Sequence, residues 1–351
     1  MTKTISKSFG ARSFAFVLLL ALLGGCQSES QEDQPPTPDV SKIQVDARIL
    51  RFDQDLFNAD TVQFSASWQA LLQKYPDFLP FFTSQVAQDR MLRQQTPEEN
   101  LRGYVTAPQV RRLNDSCQAV FADLSPFQKE LNQLFRFYKY YFPEKQVPLT
   151  VASVTEFVGD AYLINDTLML LGLDLFLGAD FSGYNPEIFP QYIRKDFSPD
   201  KMIVKYTFSL SNYLVPGPKE DRILDHMIRN GKALYVMDCL LPTVPDSVKM
   251  SYSTDQWLGS LANEQEVWSR LLAMKVLYEP LGPSNMKIVT LSPSSDNVFQ
   301  EAPGQIGNFI GWQIVKAYMK KYPKTTLQEL IQQMDAQQFL EKAKYKPRKT
   351  S

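Results

Sequence analysis

The sequence predicts an α+β fold: a single, mainly α-helical globular domain with a small antiparallel sheet. Apolar residues recur three and four positions apart along most of the chain, which is typical of amphipathic helices. The stretch 147–171 instead alternates with a period of two and includes a hairpin pattern. Beyond residue 42 we find no repeat and no linker, and 351 residues are enough for one large core.

The N-terminus has the pattern of a bacterial lipoprotein signal peptide. Basic residues precede an apolar core at 14–23, and two glycines then stand directly before Cys26. The core of ten residues fits a signal peptide and is shorter than the ~20 that a membrane-spanning helix needs. We therefore predict removal of residues 1–25 and acylation of Cys26, which becomes the membrane anchor. The alternative is an ordinary secretory signal that ends near a cysteine.

The residues after the predicted cleavage site are polar and acidic and include prolines. We interpret 26–42 as the acylated cysteine and a disordered tether, and 43–351 as the globular domain. The acidic run at 27–33 is either a sorting signal for export or only a solvated linker. The expected location is the cell envelope, with the outer membrane favoured over the inner one.

The elements before residue 147 are predicted to be almost all helical. A short strand leads into a helix within 43–57, and the next helix stops at Pro76. The longest periodic segment, 109–142, contains Pro126 and should divide there into two helices. Proline fits the first turn of a helix, so Ser125 is the expected N-cap of the second one.

The period changes near residue 147, where the strands begin. A β-branched strand is expected at 147–154, and a hairpin at 162–171 turns at Asn165 and Asp166. Residues 172–200 are rich in glycine, proline and aromatic residues and indicate a long ordered loop. The remaining sequence has a helical period, with helices expected at 200–213, 220–238, 254–278, 304–322 and 325–335.

The composition argues against several activities. A formal net charge of −1 provides no basic field for nucleic acid. His226 is the only histidine, so an HExxH zinc site is impossible and any Ser-His-Asp triad would have to use this residue without a GxSxG turn. Phosphate-binding and dinucleotide-binding glycine patterns are also missing. We expect a protein that is not an enzyme and holds no cofactor or metal. The remaining cysteines, Cys117 and Cys239, either pair or stay as two buried thiols.

Two segments in the last third of the chain contain candidate residues for a cleft or a packing surface. Glu264 lies four residues before Trp268, on one face of a predicted helix, and ordinary surface charge is the simpler account of it. Gly307 and Gly311 also lie four apart, in a strongly helical segment that includes Trp312. Each glycine costs a helix about 1 kcal/mol relative to alanine. We therefore predict that another backbone, rather than a ligand, packs closely against this face.

An ordered set of short segments resembles the gliding-motility lipoprotein family GldB. The matching segments are Arg51-Phe52-Asp53, 71–78, 140–143, 172–178, 227–235, Asn263-Glu264 with Trp268, 303–318 and 344–347. The resemblance implies a cell-envelope lipoprotein that gliding motility requires and that is tied to the type IX secretion machinery. It implies two kinds of partner: the membrane, through the acyl chains, and other motility or secretion proteins. The family has no established catalytic residues to carry over.

A second, fainter resemblance is to predicted zinc metallopeptidases that carry HExxH and a downstream Glu-Gly pair. Asn230-Gly231 is similar to the segment with that glutamate, and Asn230 stands where the ligand would be. The segment 203–213 falls where HExxH would be expected and contains neither histidine nor glutamate. The resemblance implies a zincin-like fold without metal ligands, whose remaining cleft is open to a peptide or a partner. The alternatives are an envelope hydrolase that uses carboxylates and a binding module for a surface polymer.

Overall fold

The computed structural model describes residues 1, 35–87, 95–332 and 335–348 of the chain. The predicted signal peptide, the acylation site Cys26 and the first part of the predicted tether lie outside these residues. From Pro35 onward the described chain forms one compact unit, an α+β domain that is mainly helical, which confirms the predicted class. Val40, which the sequence assigns to the tether, is only 5% exposed and packs on the core. The folded part therefore includes Val40 and does not start only at residue 43.

The sheet in the described part of the chain is mixed, whereas the sequence predicts an antiparallel one. Its order is β1-β2-β4-β3, with β1 (Ile49–Arg51), β2 (Leu149–Ser153), β3 (Ala161–Asn165) and β4 (Leu168–Gly172). The expected hairpin is present, since β3 and β4 pair antiparallel. However, β1 pairs with β2, and β2 with β4, in parallel. The long helical connection between β1 and β2 permits this direction, because parallel strands need a crossover rather than a tight turn.

The described residues between β1 and β2 contain the predicted helices and two others, at 78–85 and 97–106. The helices are α1 (Phe52–Phe57), α2 (Phe64–Lys74), α3 (Phe78–Gln85), α4 (Pro97–Thr106), α5 (Pro108–Phe121) and α6 (Ser125–Tyr141). The expected division near Pro126 is present, but the N-cap position belongs to Leu124 and the Ser125 side chain does not cap α6. Instead, the backbone N–H of Ser125 donates to Oδ1 of Asp123 at 2.8 Å, which places the serine inside the first turn.

The helices after β4 contribute many of the buried core residues. They are α7 (Gln191–Arg194), α8 (Met202–Leu214), α9 (Ile223–Leu240), α10 (Asp246–Lys249), α11 (Thr254–Ala262), α12 (Glu264–Ala273), α13 (Ile306–Lys321), α14 (Leu327–Ile331) and α15 (Ala336–Ala343). The single helix expected at 254–278 is two helices, because Asn263 leaves the helical conformation between α11 and α12.

Helices α9 and α13 lie at the centre of this half of the domain. Most of α9 and the first three turns of α13 are buried. A helix that is buried on nearly all sides must pack against several elements. Accordingly, α9 packs extensively against α13 and also contacts α8. A cleft opens where α8, α9 and α13 come together.

The two cysteines of the described chain do not form a disulfide. Cys117 in α5 and Cys239 in α9 are free, buried thiols. Burial raises the pKa of both thiols above the ordinary value, because a thiolate is poorly solvated in the core. Both side chains are therefore core residues and not reactive nucleophiles.

Candidate functional site

Glycines allow α9 and α13 to approach each other at backbone distance. A Cβ atom on Gly311 would lie 1.9 Å from the carbonyl oxygen of Met227, and a Cβ on Gly231 would lie 2.4 Å from the carbonyl group of Gly311. A Cβ on Gly307 would lie 2.6 Å from the Ile288 side chain. The close packing that the glycine spacing predicts is therefore present at this crossing.

A cleft of about 340 Å³ opens beside the crossing, which is a volume typical of ligand sites. Its lining combines apolar residues, amides and cations, namely Val204, Lys205, Phe208, Asn212, Arg229, Asn230, Ala233, Leu234, Lys249, Met250, Ser251, Val289, Thr290, Leu291, Gln305 and Asn308. The residues that α8 contributes all come from the segment 203–213. The lining thus includes four residues of this segment together with Asn230.

Side-chain amides form a connected network along one wall of the cleft. Nδ2 of Asn230 donates to Oδ1 of Asn308 at 2.9 Å and to the Val289 carbonyl at 3.3 Å. Nδ2 of Asn308 donates to the Val289 carbonyl at 3.0 Å and to Oε1 of Gln305 at 3.2 Å. Gln305 in turn donates to the Met250 carbonyl at 2.8 Å. Because each amide is held by its neighbours, this polar wall is preorganised.

Arg229 places a positive charge beside the amide network. Its Nη2 donates to the carbonyls of Asn212 at 2.6 Å and Val215 at 3.2 Å. Its Nη1 donates to Oδ1 of Asn212 and to Oδ1 of Asn230. Both carbonyls lie at the C-terminal end of α8, where the helix dipole favours a cation. Burial lowers the pKa of Arg229, but a guanidinium remains charged at any physiological pH.

Lys249 connects the cleft to a buried cluster of charges that joins α9, α10 and α13. Nζ of Lys249 lies 2.7 Å from Asp238 and 3.2 Å from Asp246, and Nζ of Lys316 lies 2.8 Å from Asp246. Trp312 completes the cluster, since its Nε1 donates to Asp238 at 2.9 Å. Burial lowers the pKa of Lys249, but the two aspartates outweigh burial and hold this pKa above its ordinary value. Two acids and two bases therefore stabilise one another in the core.

Two other residues singled out in the sequence lie away from the cleft lining. Glu264, at the start of α12, accepts hydrogen bonds from Oη of Tyr345 at 2.8 Å and from the backbone N–H of Arg348 at 3.2 Å. Glu264 is only 2% exposed, so the expectation of ordinary surface charge was wrong, and the buried carboxylate fastens the C-terminal segment to α12. His226 lies 2.7 Å from the exposed carboxylate of Asp221 and forms a surface pair.

The cleft does not offer the donors that a zinc ion requires. Its described lining residues include no histidine, cysteine, aspartate or glutamate. Elsewhere in the described ranges, no three side chains of these types come close enough to hold a metal ion. Asn230, which stands where the resemblance places a ligand, has its amide committed to Asn308 and Val289. The residues present therefore do not fit a zinc site.

The sequence patterns did not reveal Arg229, the amides of Asn308 and Gln305, or the buried charges. The sequence did contain one signal for the buried charges. Lys316 follows Trp312 by four residues on the buried stripe of α13, and a lysine on such a stripe indicates a buried partner.

Comparison with known proteins gives one family. The family model described as gliding motility protein GldB matches residues 33–347. No curated protein and no solved structure matches the chain. In the part of the chain that the structure describes, no helix combines the length and apolar character needed to cross a membrane. Because the match covers the folded domain almost completely, the chain belongs to the GldB family of gliding motility proteins.

Proposed function

We propose that the chain is a lipid-anchored cell-envelope component of the gliding-motility and type IX secretion apparatus and that it acts without catalysis. The observation that carries this proposal is the family match over residues 33–347. The lipoprotein pattern at Cys26 and the abbreviation "lipo" in the family's short name support the acyl anchor. The proposed location is the outer membrane, with other motility or secretion proteins as partners.

The lining of the cleft favours binding over bond cleavage. A glycosidase needs two converging carboxylates, and a zinc peptidase needs imidazole, thiolate or carboxylate ligands. The described lining instead combines amides, cations and apolar side chains, which suit the recognition of a polypeptide. We therefore propose that the cleft holds a segment of another protein of the apparatus.

The test is a chromosomal deletion, scored for colony spreading and for release of secreted proteins into the medium. We expect both to fail in the deletion strain and the intact gene to restore both. The Cys26→Ser gene should restore neither, because a protein without acyl chains leaves the membrane fraction. The His226→Ala gene is the matched control and should restore both, since His226 belongs to a surface pair outside the cleft.

Immunoblots of soluble and membrane fractions show whether each variant is present at the level of the intact protein. Survival of spreading and secretion in the deletion strain would overturn the proposed role in the apparatus. Retention of the Cys26→Ser protein in the membrane fraction would overturn the proposed anchor.

A further inference from the structure

The charges that line the cleft are all positive in the part of the chain that the structure describes. Lys205, Arg229 and Lys249 are in the lining, and no aspartate or glutamate is. Lys205 has its own partner, because its Nζ lies 3.3 Å from Asp196. Lys249 is held by the buried cluster. The charge available to a ligand is therefore that of Arg229.

Arg229 is bonded only to neutral groups within the described residues. Its partners are the carbonyls of Asn212 and Val215 and the side-chain amide oxygens of Asn212 and Asn230. These bonds use the four hydrogens of Nη1 and Nη2 and orient the guanidinium, so a ligand can reach its Nε–H and its positive charge, which neutral oxygens do not balance as a carboxylate would. A half-buried charge of this kind gains most from an anionic partner, and guanidinium pairs well with carboxylate.

The rim of the same cleft is apolar and exposed. Phe208 in α8 is 46% exposed and Leu291 is 39% exposed, and both line the cleft. An occupant that matches this lining carries a carboxylate, amide groups and an apolar side chain close together. The end of a polypeptide has all three, and chain-end carboxylates are a known mode of peptide recognition. An acidic glycan would match Arg229 but would leave Leu291 against hydroxyl groups.

From this arrangement we infer that the cleft captures the C-terminal end of a polypeptide, with its carboxylate at Arg229 and an apolar last side chain against Phe208 and Leu291. The inference rests on the proposed binding role of the cleft and names the ligand of that site. The amides of Asn230 and Asn308 then lie beside the main chain of the bound peptide. This recognition needs no catalytic group.

The experiment uses the acylated full-length protein in detergent and measures peptide affinity by ligand-observed NMR. The probes are acetyl-Ala-Ala-Leu with a free carboxylate and the same peptide as a C-terminal amide. We expect the acid to bind at least about tenfold more tightly, because only the acid forms a charge-assisted pair with Arg229. This comparison needs no mutation, so it does not depend on the folding of a variant.

Two further probes identify the source of the carboxylate. Acetyl-Ala-Glu-Ala amide carries the charge only on a side chain, and glucuronic acid carries it on a sugar. Binding of the glutamate peptide as tightly as the free acid would overturn the assignment of a chain end. Tighter binding of glucuronic acid than of any peptide would overturn the assignment of a polypeptide.

A rim variant tests the apolar contact without touching the core. Leu291→Ala should weaken binding of acetyl-Ala-Ala-Leu acid about threefold to tenfold and leave acetyl-Ala-Ala-Ala acid unchanged. Leu258→Ala is the matched control, because Leu258 is 53% exposed in α11 and is not in the cleft lining.

The outcomes separate this inference from the proposed function. Equal affinity for the acid and the amide would overturn the inference while leaving a peptide-binding cleft. Absence of binding by every peptide would overturn the inference, and the spreading and secretion assay would still decide the role of the protein independently.

Discussion

Replacement of Gly311 by alanine is expected to lower the free energy of unfolding by about 3 kcal/mol. The new Cβ would lie 1.9 Å from the carbonyl oxygen of Met227, which is a backbone atom of α9 and cannot rotate aside. Helices α9 and α13 would have to move apart, and the contacts along the most extensive helix packing of the core would loosen. Urea denaturation of the purified variant and of the intact protein measures the difference.

Gly259→Ala is the matched control for this substitution. Gly259 lies in α11, and a Cβ atom placed there would meet nothing within 4 Å. Alanine should therefore raise the free energy of unfolding by up to about 1 kcal/mol, through helix propensity and a less flexible unfolded chain. Replacement of glycine by alanine is thus expected to lower the free energy of unfolding at Gly311 and to raise it at Gly259. An unchanged stability of Gly311→Ala would contradict the close crossing of α9 and α13.

Lys249→Met is expected to lower the free energy of unfolding by about 3–5 kcal/mol. The Lys249 and Asp238 side chains are fully buried, and the substitution leaves Asp238 and Asp246 with Lys316 as their remaining base in the cluster. An uncompensated negative charge would then remain in the core, where water cannot solvate it. Chemical denaturation at neutral pH measures the effect.

A compensating variant shows whether charge balance is the cause. Adding Asp238→Asn to Lys249→Met restores one acid and one base, and the amide oxygen of the asparagine can still accept from Trp312. We expect the double variant to recover more than about 1 kcal/mol of the loss. Lys201→Met removes a half-buried lysine from a surface pair with the exposed Asp200 and should cost less than about 1 kcal/mol. A double variant less stable than Lys249→Met would show that packing, and not charge, dominates.

The helical class and the hairpin were predictable because they depend on local patterns. Pro126 marks the division between α5 and α6, and the turn between β3 and β4, at Asp166 and Thr167, lies one residue after the predicted Asn165-Asp166. The pairing of β1 with β2 depends on contacts between distant segments, and neither short stretch carries a signal for direction. The parallel pairing therefore could not be predicted from the sequence alone.

Only a few residues of the candidate site were singled out from the sequence. They were found either because glycine spacing indicates close backbone packing or because a family resemblance includes them. Glycine spacing indicated the crossing at Gly307 and Gly311, and the zincin resemblance indicated Asn230. Arg229 could not be distinguished from a surface arginine, because its position depends on the end of a different helix. Lys249 could not be distinguished from a surface lysine either, since it is buried only where α10 meets α9 and α13.

We propose that the cleft between α8 and α9 serves gliding, and a charge placed on its rim tests this proposal. In the deletion strain, Phe208→Glu is compared with Leu258→Glu, because both replace exposed apolar helix residues and only Phe208 lines the cleft. We expect that, at equal protein levels, Leu258→Glu restores colony spreading and Phe208→Glu does not, since the new carboxylate replaces an apolar rim residue and repels an anionic ligand. Full spreading with Phe208→Glu would contradict it.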